Sequence, residues 1–477
     1  MDTSTPVCGD RRGATPPEVS RRQAPPTKAS AEKAPPLSIS AGTIPEKSAT
    51  WTMWSTEWFT TAMGEQAGQL HGLRVLELGS LIAGPFATRL LADMGARVIK
   101  VEPPGGDPLR NWGMVTEEGS LWSMVQSRNK ESVIIDLRTP EGQRLARRLA
   151  GTVDILVENF RPGRLESWNL DPAALREENP RLIVVRISGF GQSGPYRDRP
   201  GYGSTGEAMG GLRFITGFED RPPLKVGVSL GDAVAALYAT IGTLAALHRR
   251  DIMGCGETVD VALYESVFSL LEGILPEYGY AGPIRQRGGN ALLGSAPSNV
   301  YPTGDDRWIT IGANGDSIFR RFCTAIERPE LADDPRFADN QSRRANVAVL
   351  DQLIESWTRQ HELGELWDIL VRAEVPAAPV YSIADVVADP QYQTRDMILR
   401  LMGPGGIGEL LVPGVVPRFV DAPSSVRWLG RAAGADTVTV LRDIGLDDAE
   451  LERLASSSII DLGSAPRPMA GSTLVLE

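Results

Sequence analysis

The chain of 477 residues carries a formal net charge of -11, with 60 Asp and Glu against 49 Lys and Arg, and 42% of it is hydrophobic. Such a chain is expected to fold into two or three domains with a sizeable core, in a reducing, cytoplasmic setting. The acidic balance argues against a nucleic-acid binder, and three cysteines and three histidines, none at metal-ligand spacing, argue against a disulfide framework and a metal site.

Residues 1–62 are rich in Pro, Ser, Thr and Ala. Pro16-Pro17, Pro25-Pro26 and Pro35-Pro36 block helix and strand alike, so this arm is expected to be disordered. No apolar stretch follows Arg11-Arg12 or Arg21-Arg22, which argues against an export signal, and Asp2, Asp10, Glu18 and Glu32 argue against a transit peptide. Met63 is a candidate alternative start.

From Leu73 strands and helices alternate. Val75–Leu78 reads as a short buried strand, Gly79–Pro85 as a turn, Phe86–Met94 as a helix and Val98–Val101 as a second strand. Further strands are expected at Ser132–Ile135, Ile155–Val157 and Leu182–Ile187, with a helix at Gly142–Ala150. Apolar strands separated by helices predict an α/β fold with a doubly wound parallel sheet. A dinucleotide fingerprint would need GxGxxG after the first strand. Gly79 and Gly84 instead have four residues between them, although Glu102 stands near the expected acidic position. Nicotinamide or flavin binding is therefore not expected.

The longest apolar run, Ala233–Leu247, is about 15 residues and is broken by Thr240, Gly242 and Thr243. It is short of the roughly 20 needed to cross a bilayer and reads as a buried helix, so no membrane association is expected. A large domain over 70–280, completed by 400–460, and a smaller α+β domain over 290–390 are expected. The smaller one would hold a strand at Trp308–Ile311 and helices at Ser317–Ile326 and Val347–Arg359. Gly282–Gly294 and Met397–Gly408 read as Gly-rich linkers.

Three segments carry chemistry. In Val226–Asp232 a flexible glycine precedes an aspartate at the start of the apolar helix. Read blandly, Asp232 is an N-cap; read sharply, it is a carboxylate nucleophile that the helix dipole keeps ionised. Gly288-Gly289-Asn290 is either a linker or a loop whose backbone approaches a ligand closely. Val157-Glu-Asn-Phe-Arg-Pro-Gly163 leaves the C-terminal end of a strand, where Asn159 and Arg161 can donate to a phosphate or amide; a solvated loop is the alternative. Arg128, Lys130 and Arg138 are either solvated or meet phosphates.

These stretches, in order from about residue 70 to 457, resemble the class III CoA-transferases. The resemblance is carried by Leu73-Arg-Val-Leu-Glu-Leu, Gly95-Ala-Arg-Val-Ile-Lys-Val-Glu102, Gly105-Gly-Asp107, Val157–Gly163, Gly189-Phe-Gly-Gln-Ser-Gly-Pro195, Pro200-Gly-Tyr202 and Gly231-Asp232. It implies a Rossmann-like large domain, a small domain, and a homodimer of interlocked rings. It implies Asp232 as the nucleophile, forming an aspartyl mixed anhydride and then an aspartyl-CoA thioester, as CoA passes from an acyl-CoA to a free carboxylic acid. It places CoA along Leu81, Ile82 and Ala83, along Ile135 to Arg138, and along Asn159, Phe160 and Arg161, with Gly288 and Gly289 covering the intermediates. CoA is then a substrate, and no tightly bound cofactor or metal is implied.

The chain departs from the family at several positions. Tyr202 and Gly203 stand where the related racemases carry a His and an Asp, which weakens the alternative of a 2-methylacyl-CoA racemase. Gly203 also removes a carboxylate that many transferases have, and Glu207 stands where they usually place Gln. A catalytically silent CoA-binding homologue is the third reading.

Overall fold

The computed structural model describes residues 68–463; the arm expected at 1–62 lies outside them. The central sheet contains β1 (Arg74–Glu77), β2 (Arg97–Glu102), β3 (Lys130–Ile135), β4 (Ile155–Glu158), β5 (Ile183–Ser188) and β6 (Thr258–Ala262). These six run parallel in the order 3-2-1-4-5-6, and a two-residue strand, Ile460–Asp461, pairs antiparallel with the β3 edge. The expected doubly wound sheet is thus present.

Successive residues of a strand point to opposite faces, and here both faces are covered. Leu76, Ile99, Val133, Leu156 and Val184 pack with Leu145 and Leu149 of α2 (Pro140–Ala150) and with Leu441 and Leu454 near the C-terminus. Val75, Val98, Ile155 and Ile183 pack on the other face with α1 (Ala83–Asp93) and with a long helix that ends at Met253. The first turn of α2 is set by Pro140 and by Thr139, whose side chain accepts the Gly142 N–H.

Between β5 and β6 lie α3 (Gly203–Met209), α4 (Leu212–Ile215) and α5 (Leu230–Met253), and α6 (Leu263–Phe268) follows β6. The expectation of a buried helix over 233–247 needs correction. α5 has 24 residues, long and apolar enough by composition to cross a membrane, and only one side of it is buried. Ala235, Ala236 and Ala239 let it approach α1 closely, whereas Leu237, Ile241 and Leu244 face outward. Gly254, at φ 78, ends the helix by donating its N–H to Arg250 O.

A second, antiparallel sheet joins β7 (Ser298–Pro302), β8 (Trp308–Gly312) and β9 (Ala377–Pro379) in the order 7-8-9. It has its own core, in which Ile309 and Ile311 meet Phe319 and Phe322 of α7 (Asp316–Ala325), Leu350 of α8 (Val347–Thr358) and Leu366 of α9 (Leu363–Arg372). The buried guanidinium of Arg343 ties this unit together by donating to Ala296 O, Phe337 O and Asn314 O. Met397–Gly408 is not a linker. Ile398–Met402 pairs with Glu409–Pro413 in a hairpin, with apolar residues flanking the Gly403–Gly408 turn on both sides.

Candidate active site

The strand order reverses between β1 and β4, so the turns leaving those two strands stand at the switch point on the C-terminal edge of the sheet, where open α/β sheets bind ligands. Leu81, Ile82 and Ala83 lie on the first turn and Asn159, Phe160 and Arg161 on the second. Asn159 joins them: its Oδ1 accepts the Ser80 N–H at 2.8 Å and its Nδ2 donates to Ser80 O at 2.9 Å. A Cβ at Gly79 would stand 2.7 Å from Asn159 Oδ1, so the turn closes over this amide only with glycine there. Asn159, expected to face a ligand, thus commits both ends of its amide to the protein.

Leu81 is held at φ 64, an uncommon conformation for a leucine, and its N–H donates to both Asp107 oxygens at 3.1 and 3.2 Å. Beneath the turn, Lys100 Nζ donates to Gly79 O at 3.1 Å and pairs with Glu77 at 2.6 Å and Asp107 at 2.7 Å. Lys130 Nζ meets Glu77 at 2.8 Å and Pro85 O at 2.7 Å. Burial and the neighbouring Lys100 charge outweigh Glu77, and the Lys130 ammonium is lowered to about 8. Burial opposes a charge on Glu77, but Lys100 and Lys130 together hold it below the usual carboxylate range.

Lys130 therefore is neither solvated nor aimed at phosphate. Nor is Arg128, which is fully buried and holds Asp93 at 2.6 Å. Both begin or precede β3, so their charges are paired inside the sheet. Ile135 is buried at the end of β3, whereas Arg138 is largely exposed and braced by Asp136 at 2.7 Å. Ile82 is the residue before α1 and Ala83 is buried in its first turn. Phe160 packs edge-on against Trp168, and Arg161 is exposed with no side-chain partner among the described residues.

Asp232 is not an N-cap. α5 starts two residues earlier, with Ser229 as its flanking residue, so the carboxylate belongs to the first turn. It packs on α3: a Cβ at Gly203 would stand 2.1 Å from Asp232 Oδ2. Tyr202, just before it, is 69% exposed. One helical turn beyond Gly203, Glu207 is 1% exposed; its Oε1 accepts the Gly231 N–H at 3.1 Å and its Oε2 meets Arg213 Nε of α4 at 3.3 Å.

Burial, and next the Glu207 charge, raise the Asp232 carboxyl to about 6, with exposed Lys225 acting in the opposite direction. The expected helix-dipole effect is therefore overridden, yet the group remains mostly ionised at neutral pH. The glycine loop is tied to α4 and the segment after it. Gly289, at φ 62, donates its N–H to Gly217 O at 2.9 Å, just beyond α4, and Arg287 donates to Phe214 O and Phe218 O.

The structure thus gathers Asp232, Tyr202, Gly203 and Glu207, sets Gly288–Gly289 beside α4, and joins the Leu81–Ala83 turn to α5 through the α1–α5 packing. Arg138 lies apart, beyond β3 at the far side of the sheet. Asp107, Lys100, Arg213 and Lys225 were missed. For Lys100 a signal existed, since a charge inside an otherwise apolar strand demands a buried partner.

The profile of CoA-transferase family III matches residues 70–437. The chain belongs to the class III CoA-transferases. As such it is an enzyme whose substrates are CoA thioesters. This CoA-transferase is 49% identical over 394 residues to succinyl-CoA--D-citramalate CoA-transferase of Chloroflexus aurantiacus, covering 82% of this chain and 98% of the relative. It is 38% identical to the succinyl-CoA--L-malate CoA-transferase alpha subunit of the same organism, covering 84% and 95%. Among solved structures, a CaiB/BaiF family protein from Brucella suis superposes with a TM-score of 0.70 at 36% identity, covering 79% of this chain and 100% of that one.

Proposed function

We propose that this CoA-transferase moves CoA from succinyl-CoA to a small hydroxy-dicarboxylic acid by covalent catalysis at Asp232. The acid class rests on the relatives, which are named for citramalate and malate. The observation that carries the mechanism is a half-buried carboxylate in the first turn of α5 that has no hydrogen-bond partner among the described residues.

An Asp232 oxygen attacks the donor thioester carbon; the C–S bond breaks, leaving a mixed anhydride and CoA thiolate. The thiolate attacks the aspartyl carbon, the donor acid departs as its carboxylate, and an aspartyl-CoA thioester remains. The acceptor carboxylate attacks that thioester and expels the thiolate. Thiolate attack on the acceptor's acyl carbon then releases the new CoA ester and restores Asp232. No net proton is transferred, which suits a site built without histidine. Water would hydrolyse the anhydride, and in this reading the Gly288–Gly289 loop excludes it.

CoA would lie along the C-terminal edge of the sheet, from Arg138 beyond β3, past Leu81–Ala83 and Asn159–Arg161, toward Asp232 beyond β5. Four strand spacings separate β3 from β5, roughly 19 Å, which suits an extended ligand. An interlocked homodimer is part of the same proposal, supported by the outward apolar stripe of α5.

The test is to incubate the protein with succinyl-CoA and candidate acids, quench with hydroxylamine, and map the modified peptide. A hydroxamate at Asp232, absent in Asp232→Ala, is expected. Turnover with the label elsewhere, or with none, would falsify the reading.

A further inference from the structure

We propose that Glu207 is a positioning residue for the transfer reaction, a buried anion that fixes the first turn of α5 and makes Asp232 a stronger nucleophile. The proposal rests on Asp232 being the nucleophile and goes beyond it. Gly203 and Glu207 are four apart on α3 and so share the face turned to the start of α5. Gly203 lies against the Asp232 carboxylate, and Glu207 binds the N–H of Gly231, the residue before it. A Cβ on Gly231 would be 3.2 Å from Glu207 Cγ, so the two elements are in contact.

A carboxylate buried this deeply needs strong donors, and it has one backbone N–H and one guanidinium. A neutral side chain would fill the same space without that cost. What a charge adds is selective. A negative neighbour raises the energy of free, ionised Asp232 but not of Asp232 after acylation, when its charge is gone. Glu207 thereby drives the first bond-forming step and raises the basicity of the attacking oxygen. Arg213 tempers the effect by partly neutralising Glu207.

The charges that face Asp232 are Glu207 from α3 and Lys225 from the segment before α5. Other groups on the surrounding elements are engaged elsewhere. On α6, Tyr264 donates to Glu265, and on α1, Arg89 pairs with Asp93. On β5, Arg186 pairs with Glu158, and on β6, Asp260 accepts the Gln192 N–H.

Two variants are measured by the acid limb of kcat/KM, with the hydroxylamine label followed in each. Glu207→Gln keeps the acceptor for Gly231 N–H and removes the charge. Its limb is expected to move to lower pH by about half a unit or more, with a plateau about 3- to 10-fold lower. Arg213→Met leaves Glu207 uncompensated, and its limb is expected to move to higher pH. A role in packing alone moves neither limb, so unshifted limbs in variants that still label at Asp232 overturn the proposal. If Glu207→Gln does not fold, the direction of the Arg213→Met shift decides. A wild-type protein that turns over without labelling at Asp232 removes the underlying mechanism instead, which is a distinguishable failure.

Discussion

Gly203 and Asp232 compete for one volume: a Cβ at position 203 would fall 2.1 Å from Asp232 Oδ2, 2.6 Å from its Cγ and 3.0 Å from its backbone N. The side-chain oxygen can swing away, whereas the backbone nitrogen cannot do so cheaply. Gly203→Ala should therefore displace the proposed nucleophile by about 1 Å, enough to lower kcat on the order of 100-fold. Overpacking should cost about 1–3 kcal/mol of stability. Because the proposed CoA path runs along the other strand ends, its affinity should hardly change. Steady-state kinetics with calorimetric CoA binding checks this, and equal losses in kcat and CoA affinity would count against it.

The raised carboxyl of Asp232 has two consequences with opposite signs. The proposed attack needs the anion, so kcat/KM should fall about tenfold per pH unit below about 6. Stability responds the other way. The folded protein holds the Asp232 proton more tightly than the unfolded chain, whose carboxyl titrates near 3.8. Ionised Asp232 thus penalises the fold fully above about 6 and not at all below 3.8. Asp232→Asn should gain about 1–2 kcal/mol at pH 8, after allowance for partial solvent access, and nothing near pH 3.5. Chemical denaturation at the two pH values measures it. A gain of equal size at both would mean that the charge is not the cause.

What could be read from the sequence divides along physical lines. Val75–Leu78 and Val98–Val101 announce themselves because strands covered on both faces become apolar runs. Thr258–Ala262 does not, because β6 is an edge strand with its first residues exposed. The aspartate was visible as an acid beside an apolar helix. It sits in the first turn and not at the cap because the helix starts at Leu230, before the apolar run becomes continuous. Glu207 stands out in the sequence only as a departure from the family's Gln; the fold is what shows that α3 turns it inward. The pairing of Glu77 with Lys100 and Lys130 is likewise a matter of strand order, which periodicity does not encode.

Asn159 is expected to act on CoA through the turn it clasps. Asn159→Ala removes both hydrogen bonds to Ser80 and opens space beside Gly79 and Gly84. Leu81, already at positive φ, would then be held mainly by Asp107. A loss of about 1–3 kcal/mol is expected, together with a several-fold rise in KM for the acyl-CoA and a smaller change in kcat. Thermal unfolding with and without CoA, beside kinetics, tests this. A variant with unchanged KM would show that the turn does not face the cofactor portion of the substrate.

The outward stripe of α5 gives the proposed dimer a direct test. Leu237, Ile241 and Leu244 expose apolar surface on a helix whose other side is packed. Ile241→Asp would place a charge in a subunit interface, and a dimer should dissociate or fail to assemble. Light scattering after size exclusion reads the mass directly. A wild-type monomer, or an undisturbed dimer in the variant, rules this stripe out as the contact.

Lys225 is the last residue for which the geometry and charge make a definite demand. The lysines among the described residues are Lys100, Lys130 and Lys225, and the first two are locked in the buried cluster around Glu77. Lys225 is exposed, pairs with no carboxylate among the described residues, and yet its charge is felt at Asp232. A dicarboxylic acceptor that presents one carboxylate to the reaction needs a cation for the other, and the proposed role of Lys225 is to supply it. A charge-assisted hydrogen bond contributes about 1.5–3 kcal/mol, so Lys225→Met should raise KM for a diacid by roughly 10- to 100-fold. A half-ester of the same acid, which lacks the second charge, should lose little. Loss of the Lys225 charge should also move the acid limb of kcat/KM upward, because that charge favours the Asp232 anion. Kinetics with the acid and its half-ester, measured in parallel, separates anchoring from general disruption: an equal penalty on both would remove Lys225 from the acceptor site.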